Sequence, residues 1–556
     1  MIMKKKLLKK IIGSCLSATL VIGTLVGCGN TEPTTSEEPQ SSATAESITE
    51  ISETPAEVEE AIEIAYPMDT DVTLTIAHIT NGTVTANYEG LADTPFWSKW
   101  QELTGVKLES MELTKDAFNL LLVSGDLPDL VYCSVDNIPS GVEMAIEDKV
   151  IAPITKYMEY APDLAAVVES DEIYRKGVTT TKGDIIGAPF IRGDKYLLTS
   201  GGMIIRADWL EELEMESPET PEELYNVLVA FKEEMGAETP LSVTSSDLVW
   251  SLVQNGLVTD GFGLPGAGLY QEDGEIHFGF AEPELKEVYT YLNKLYKEGL
   301  LDPEFLTIDN TVKKANIQSG RSGVTYGSVG GNLGTWMKEM WETDPEYELT
   351  GISPLVSAKG EVARLGGVGL AVTGDCLFMT TACENPEVAV QFMNYGYTEE
   401  GGMFFNYGIE GESYNMVDGY PTYTEEVMNN SEGKSMQQVL AGYCRSWSSG
   451  PFVQQKEYME QFGSLERQKE ALNRWTNTEL LDHVVPKIII AEEDSSEYNK
   501  IGSEVWTYVK EMCIAYVTGA KSLDTFETEY LATMKSLGID RWIEIQQAAL
   551  DVYNAK

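Results

Sequence analysis

Apolar positions recur in two rhythms along most of the chain. "DVTLTIAHI" (71–79) puts Val72, Leu74 and Ile76 on every second position, the period of a strand with one buried face. "DLVYCSV" (129–135), "SGVTYGS" (322–328) and "GGVGLAVTG" (366–374) are further strand candidates. Between them runs the period of 3.6. In "PETPEELYNVLVAFKEEMG" (218–236), Leu224, Val227, Leu228 and Phe231 form one face. Thr220 is the expected N-cap, Pro221 suits the first turn, Glu223 completes a capping box and Gly236 ends the helix. "AEPELKEVYTYLNKLYKEG" (281–299) and "NPEVAVQFMNYG" (385–396), with Asn385 as cap, repeat the logic. From about Pro421 the pattern is mostly helical. Strands alternating with helices predict α/β lobes with largely parallel sheets. In such sheets ligands sit beyond the carboxyl ends of the strands. The loops to watch are therefore "ITNGTVTANYEGLADTPFW", "SVDNIP", "YGSVGGNLGTW" and "NYGIEGESY".

The N-terminus breaks this pattern. Lys4, Lys5, Lys6, Lys9 and Lys10 precede an apolar run from Ile11 to Gly27, the form of an export signal. The run is short for a membrane span. Gly29 to Tyr66 then carries Thr, Ser, Glu, Pro and Ala but no Lys or Arg. Such a segment buries too little to offset its ordering entropy and predicts a tether, spanning roughly 35 Å as a flexible coil. "AEVEEAIEIA" near its end is compatible with a helix. The expected organisation is a signal (1–27), a lipid-bearing cysteine with an acidic tether (28–66) and two lobes. Lobe 1 is 67–195 plus 348–410, and lobe 2 is 196–347 plus 411–556.

Charge narrows the partners. The 556-residue chain has a net charge of −50. Removing five signal lysines leaves 34 basic against 89 acidic residues, about −55. That argues against nucleic acid and anionic lipid as partners. Beyond the signal and Cys28, the cysteines are Cys133, Cys376, Cys383, Cys444 and Cys513. The number is odd and no CxxC occurs, so neither a zinc site nor a disulfide framework is indicated. A Cys376–Cys383 bridge stays open.

Catalytic signatures are missing. Gly261-Phe262-Gly263-Leu264-Pro265-Gly266 fits G-x-G-x-x-G, but no strand leads into it, no helix follows, and Pro265 interrupts it. His78, His277 and His483 stand singly. Paired carboxylates are invisible in sequence, which keeps an enzyme open. Binding has more to work with. Trp97, Trp250, Trp336 and Trp447 lie at or near loops rich in Gly, Ser, Asn or Asp. Flat apolar faces beside polar groups suit sugar rings, and each tryptophan has core packing as its plain alternative. Asp136, Tyr407, Glu410 and Arg445 are the candidates for recognising hydroxyls, with a turn beside a hinge as the plain alternative for Tyr407 and Glu410.

Several stretches resemble one known group. They are "SGDLPDL" (124–130), "GDIIGAPF" (183–190), "MIIRADWLEELEMESPETPEELYNVLVAFKEE" (203–234), "YKEGLLDPEFL" (296–306), "NPEVAVQFMNYGYTEEGGMFFNYGIEGESY" (385–414) and "YVTGAKSLDTFETEYLATMKSLGIDRWIEIQQAALDVYN" (516–554). Together they resemble the large lipoprotein members of the bacterial extracellular solute-binding protein family 1, the substrate receptors of ABC importers. Leu25-Val26-Gly27-Cys28 likewise resembles a lipobox, implying cleavage before Cys28 and a diacylglycerol on its sulfur. The resemblance implies a type II, periplasmic-binding-protein-like flytrap with crossing hinge strands and a helical C-terminal portion. It also implies an oligosaccharide ligand, permease subunits and the lipid bilayer as partners, a monomer on the outer side of the cell membrane, and no cofactor. Many relatives carry a D-x-N-x-N-G-x-x-x-E calcium loop after the "AFK" helix. Here "AFKEEMGAETPLSV" passes over it, so no structural calcium is expected there. The alternatives are a cell-surface carbohydrate-active enzyme and a receptor for a peptide or small metabolite.

Overall fold

The computed structural model describes residues 64–138, 141–367, 369–432 and 434–556. Cys28, the signal and nearly all of the expected tether lie outside them. The strands, in chain order, are β1 (Thr73–Ile79), β2 (Lys107–Leu113), β3 (Leu130–Ser134), β4 (Ile151–Ala152), β5 (Ala188–Arg192), β6 (Gly201–Arg206), β7 (Leu269–Glu272), β8 (Glu275–Phe278), β9 (Val324–Ser328), β10 (Leu349–Ile352), β11 (Val372–Thr380), β12 (Tyr414–Val417), β13 (Tyr420–Tyr423) and β14 (Val453–Gln454). Two larger sheets take ten of them, and β7–β8 and β12–β13 pair as separate hairpins. The first has the order β14-β5-β11-β3-β1-β2, with β4 also on β11. The second has the order β10-β6-β9 and is widened by parallel bridges from Leu241 to Val324 and Leu301.

Alternation in β1 does what its sequence requires: Leu74 and Ile76 point into the core of the first sheet, where Leu130, Val131 and Phe378 are also buried. A second core lies on one face of the other sheet. It joins Met203 and Ile205 to the helix Pro221–Glu233 and to the C-terminal helices Glu492–Thr518 and Ile539–Asn554. In the helix Pro221–Glu233 the Thr220–Glu223 capping box forms, and Leu224, Val227, Leu228 and Phe231 are all at most 1% exposed. Ile204, on the opposite face of β6, belongs to a third core with Leu349, Trp475 and residues of 407–476. Packing there is tight, because a Cβ on Gly202 would lie 2.4 Å from Trp475 Nε1.

The chain passes between the two sheets three times: from β5 to β6, from β10 to β11, and from β14 into the helices that follow. That is the α/β architecture of two lobes with crossing segments and a helical C-terminal portion. Several details differ from expectation. The first sheet is mixed, since β11 runs antiparallel to β3, β4 and β5, and the second has antiparallel ladders. A strand that returns from the other lobe enters the sheet from the opposite end, so it cannot be parallel. In Gly-rich 366–374 the described residues before Val372 are not strand; β11 begins at Val372 and continues to Thr380. β10 pairs within the second sheet although 348–410 was expected in lobe 1, and β14 pairs with β5 although 411–556 was expected in lobe 2. Asn385 makes no side-chain cap. Cys376 and Cys383 are both free thiols; the residue opposite Cys376 across the ladder is Cys133.

Candidate functional site

Strand register decides which polar groups meet where the chain crosses. At the end of β3, Ser134 pairs with Asp375 of β11, and at the end of β5, Arg192 pairs with Gln454 of β14. Asp136 follows one short turn beyond Ser134. One edge of the first sheet therefore carries Asp136, Asp375, Arg192 and Gln454 beside the crossings. Burial pushes the Asp375 carboxyl above its usual range, against the hydrogen bond from Thr373 Oγ1 at 2.9 Å and the opposing charge of Arg192. Burial lowers the Arg192 guanidinium, and Asp375 counteracts this. From the C-terminal part of the chain, Lys487 reaches Asp136 with Nζ 2.5 Å from Oδ2. Tyr498 lies close enough to feel the Asp136 charge, although burial is the main cause that raises its hydroxyl.

Cavities flank this edge. One of about 220 Å³ is lined by Lys176, Val372, Lys487 and Tyr553 among others. A larger groove of about 720 Å³ lies at the β5–β6 crossing. It combines Asp194 and Tyr196 from the crossing with Tyr420 of β13, Lys456, Glu460 and Gln461 of one helix, and Lys469 and Asn473 of the next. Tyr196 is held by the turn in which Asp194 Oδ1 accepts its backbone N–H at 2.7 Å, and the Tyr420 hydroxyl donates to Glu460 Oε2 at 2.9 Å. Two aromatic faces among carboxylates, amines and amides form a surface that can pair with a ligand carrying both CH faces and hydroxyls.

The residues singled out from sequence are dispersed. Trp97 and Arg445 line one small cavity inside the first lobe, with Trp447 beside the guanidinium, its ring 5.3 Å from Arg445 Cζ. Trp336 (2% exposed), Tyr407 (0%) and Trp447 (9%) belong to the third core. Tyr407 donates to Gln455 Oε1 at 2.9 Å, and Trp447 Nε1 donates to the Cys444 carbonyl at 3.0 Å. Trp250 is half-buried and packs edge-on against Trp506 at 5.6 Å. Glu410 is exposed in the turn leading to Tyr414, and Asp136 is exposed and paired with Lys487. Arg192, Tyr196, Asp375, Tyr420 and Lys487 were not singled out, because their meeting depends on strand register and chain crossing, which no local pattern encodes.

No group of His, Cys, Asp or Glu among the described residues is arranged to hold a metal ion, and no helix among them is long and apolar enough to cross a membrane.

The profile of the family described as "Bacterial extracellular solute-binding protein" matches residues 84–403. The lipoprotein LipO of Bacillus subtilis is 26% identical over 321 residues, 56% of this chain and 61% of LipO, so the chain spans about three-fifths of that relative's length. The fructooligosaccharide ABC transporter substrate-binding protein FusA of Streptococcus pneumoniae is 22% identical over 79% of this chain and 82% of its own. Among solved structures, an HMO-binding, ABC-transporter-associated solute-binding protein from Bifidobacterium longum infantis has the same fold. Its TM-score is 0.68 at 19% identity, covering 87% of this chain and 99% of that one.

Proposed function

The chain belongs to the bacterial extracellular solute-binding protein family, and from that premise we propose a lipid-anchored cell-surface receptor of an ABC importer that captures an oligosaccharide between its lobes. The observation that carries this reading is the triple crossing between two sheets, with polar and aromatic groups gathered at the crossing. Hinged lobes can close on a ligand while only a few connecting residues change conformation. The matched names point the same way, since FusA is named for fructooligosaccharides.

In this reading lobe 1 comprises 67–192 plus 372–454, and lobe 2 takes 201–352 plus the helices after β14. Tyr196 and Tyr420 stack on sugar rings, and Asp194, Lys456, Gln461 and Asn473 meet hydroxyls. Trp250, Asp136 and Glu410 remain candidates for the rim. Cys28 carries the lipid, permease subunits receive the ligand, and no bond is broken. Calorimetry against a panel of oligosaccharides, followed by product analysis, tests it. One glycan should bind and be recovered unchanged, and Tyr196→Ala and Tyr420→Ala should each weaken binding by about 5–150-fold, the equivalent of ~1–3 kcal/mol. Cleavage of the glycan, or indifference of the whole panel, would end this reading.

A further inference from the structure

Two thiols share one ladder of the first sheet. β3 and β11 run antiparallel there, and Cys133 stands directly opposite Cys376. Opposed residues of such a ladder project to the same face. Both side chains lie in the core of the first sheet, as do Val131 and Phe378, the opposed pair two positions further along. Opposed residues have Cα atoms about 4.5–5.5 Å apart, and a disulfide needs about 4.4–6.8 Å. The backbone register thus holds the two cysteines within bridging range. Cys376 Sγ leans toward Gly187, where a Cβ would stand 2.8 Å from it. Closing the bond therefore takes a turn about the Cys376 χ1 rather than a shift of strands.

The other thiols among the described residues are placed differently. Cys383 follows the end of β11, Cys444 Sγ lies 3.4 Å from Ser446 Oγ, and Cys513 is buried on the helix Glu492–Thr518 in another core. Burial decides when Cys133 and Cys376 can react. They are 5% and 1% exposed. Burial, with the Asp375 charge, pushes the Cys133 thiol up to about 12, and burial raises the Cys376 thiol well above its ordinary value. A thiol that is neither ionised nor accessible does not attack a disulfide. The pair is therefore inert once the sheet has closed and reactive while the chain folds. An extracellular chain folds outside the reducing cytoplasm, where disulfides persist.

We propose that Cys133 and Cys376 are oxidised to a cross-strand disulfide as the exported chain folds, with a small-molecule disulfide outside the cell as the oxidant. One protein thiolate attacks that disulfide and releases a first small thiol. The second protein thiolate then attacks the mixed disulfide and releases the other. The protein loses two hydrogens, and the small molecule is reduced to two thiols. The bond ties β11 to β3 one position from the Ser134–Asp375 end of the ladder. β11 is the strand that enters from the β10 crossing at Val372, so a pull on that crossing meets a covalent joint rather than ladder hydrogen bonds alone. No sugar ligand is involved, so this proposal and the receptor reading can fail separately.

The test uses the full chain, secreted by cells grown aerobically with cystine in the medium. The cells are quenched in acid, and the protein is alkylated under denaturing conditions without reductant and mapped by mass spectrometry. The peptides of Cys133 and Cys376 should appear cross-linked, two hydrogens lighter than their sum, while Cys383, Cys444 and Cys513 carry the alkyl label. Cystine added instead to chain already folded under reductant should leave Cys133 and Cys376 alkylated. In detergent, reductant should lower the midpoint of chemical unfolding of the secreted protein. A variant with both Cys133→Ala and Cys376→Ala should show no response to reductant, and mapping of the wild type decides the matter even if that variant fails to fold. Alkylated Cys133 and Cys376 in the secreted chain, a cross-link from either to another cysteine, or a midpoint indifferent to reductant would overturn the proposal.

Discussion

His78 shows how much one side chain can report. It sits on β1 at 6% exposure, and burial, with help from the Arg445 charge, pushes its imidazole down to about 4. A histidine lowered in the folded state takes up its proton more readily unfolded. Its contribution is thus complete above the ordinary value near 6.5 and is lost as pH falls from there toward 4. The size is on the order of 3 kcal/mol. Urea unfolding across that window should show stability falling in the wild type and falling less by that amount in His78→Gln; parallel pH profiles would refute the assignment. Gly408 is a second test at this scale. Its φ of 92° and ψ of −127° lie where only glycine is comfortable, and a Cβ would stand 2.5 Å from Ser413 Oγ. That hydroxyl donates to the Tyr407 carbonyl at 2.7 Å and accepts from the Ile409 N–H at 2.8 Å, so it closes the turn in "NYGIEGESY". Gly408→Ala should cost at least about 1–3 kcal/mol, read as a lower denaturant midpoint. An unchanged midpoint would mean that the turn relaxes.

Elements were legible where local chemistry alone decides them. The helix Pro221–Glu233 was readable because cap, proline, acidic first turn and apolar stripe agree, and Thr220→Ala should cost about 1 kcal/mol in chemical denaturation. β1 was readable because only one of its phases suits the core. What could not be read depends on partners distant in sequence. The mixed character of the first sheet comes from β11 returning from the other lobe, and the position of β10 comes from pairing with β6. Trp336 and Trp447 looked like ligand platforms beside polar loops, yet both are buried in the third core with Tyr407, Leu440, Leu472 and Trp475, and sequence spacing carries no trace of that covering. Tyr196 and Tyr420 share a groove across more than two hundred residues for the same reason. After the helix Pro221–Glu233 the chain offers only Glu234 and Glu238 before Leu241 joins the second sheet. A chelator should therefore leave the melting temperature unchanged; a drop restored by calcium alone would reveal a site formed elsewhere.

At the scale of the whole molecule, the proposed capture between lobes requires a balance between open and closed arrangements. In that reading the backbone crossings hold the lobes together and let them rotate. Side-chain ties bias the rotation, and they differ in strength. At the C-terminal helix, Arg175 Nη1 donates to the Lys556 carbonyl at 2.6 Å and Lys556 Nζ to the Thr179 carbonyl at 2.6 Å. The Lys487–Asp136 pair is short at 2.5 Å, yet its side chains are 30% and 66% exposed. An exposed pair contributes roughly 0–1 kcal/mol and is weakened by salt. Lys487→Ala should accordingly shift the open–closed balance, and with it the ligand Kd, by no more than about fivefold. The radius of gyration from small-angle scattering should rise slightly in the ligand-free variant and match the wild type once ligand is saturating. Added salt should shrink the difference between the two proteins. A loss of affinity well beyond that bound, with scattering unchanged, would mean that Lys487 touches the ligand itself, and the binding surface would then extend from the groove at the β5–β6 crossing to the Asp136 edge of the first sheet.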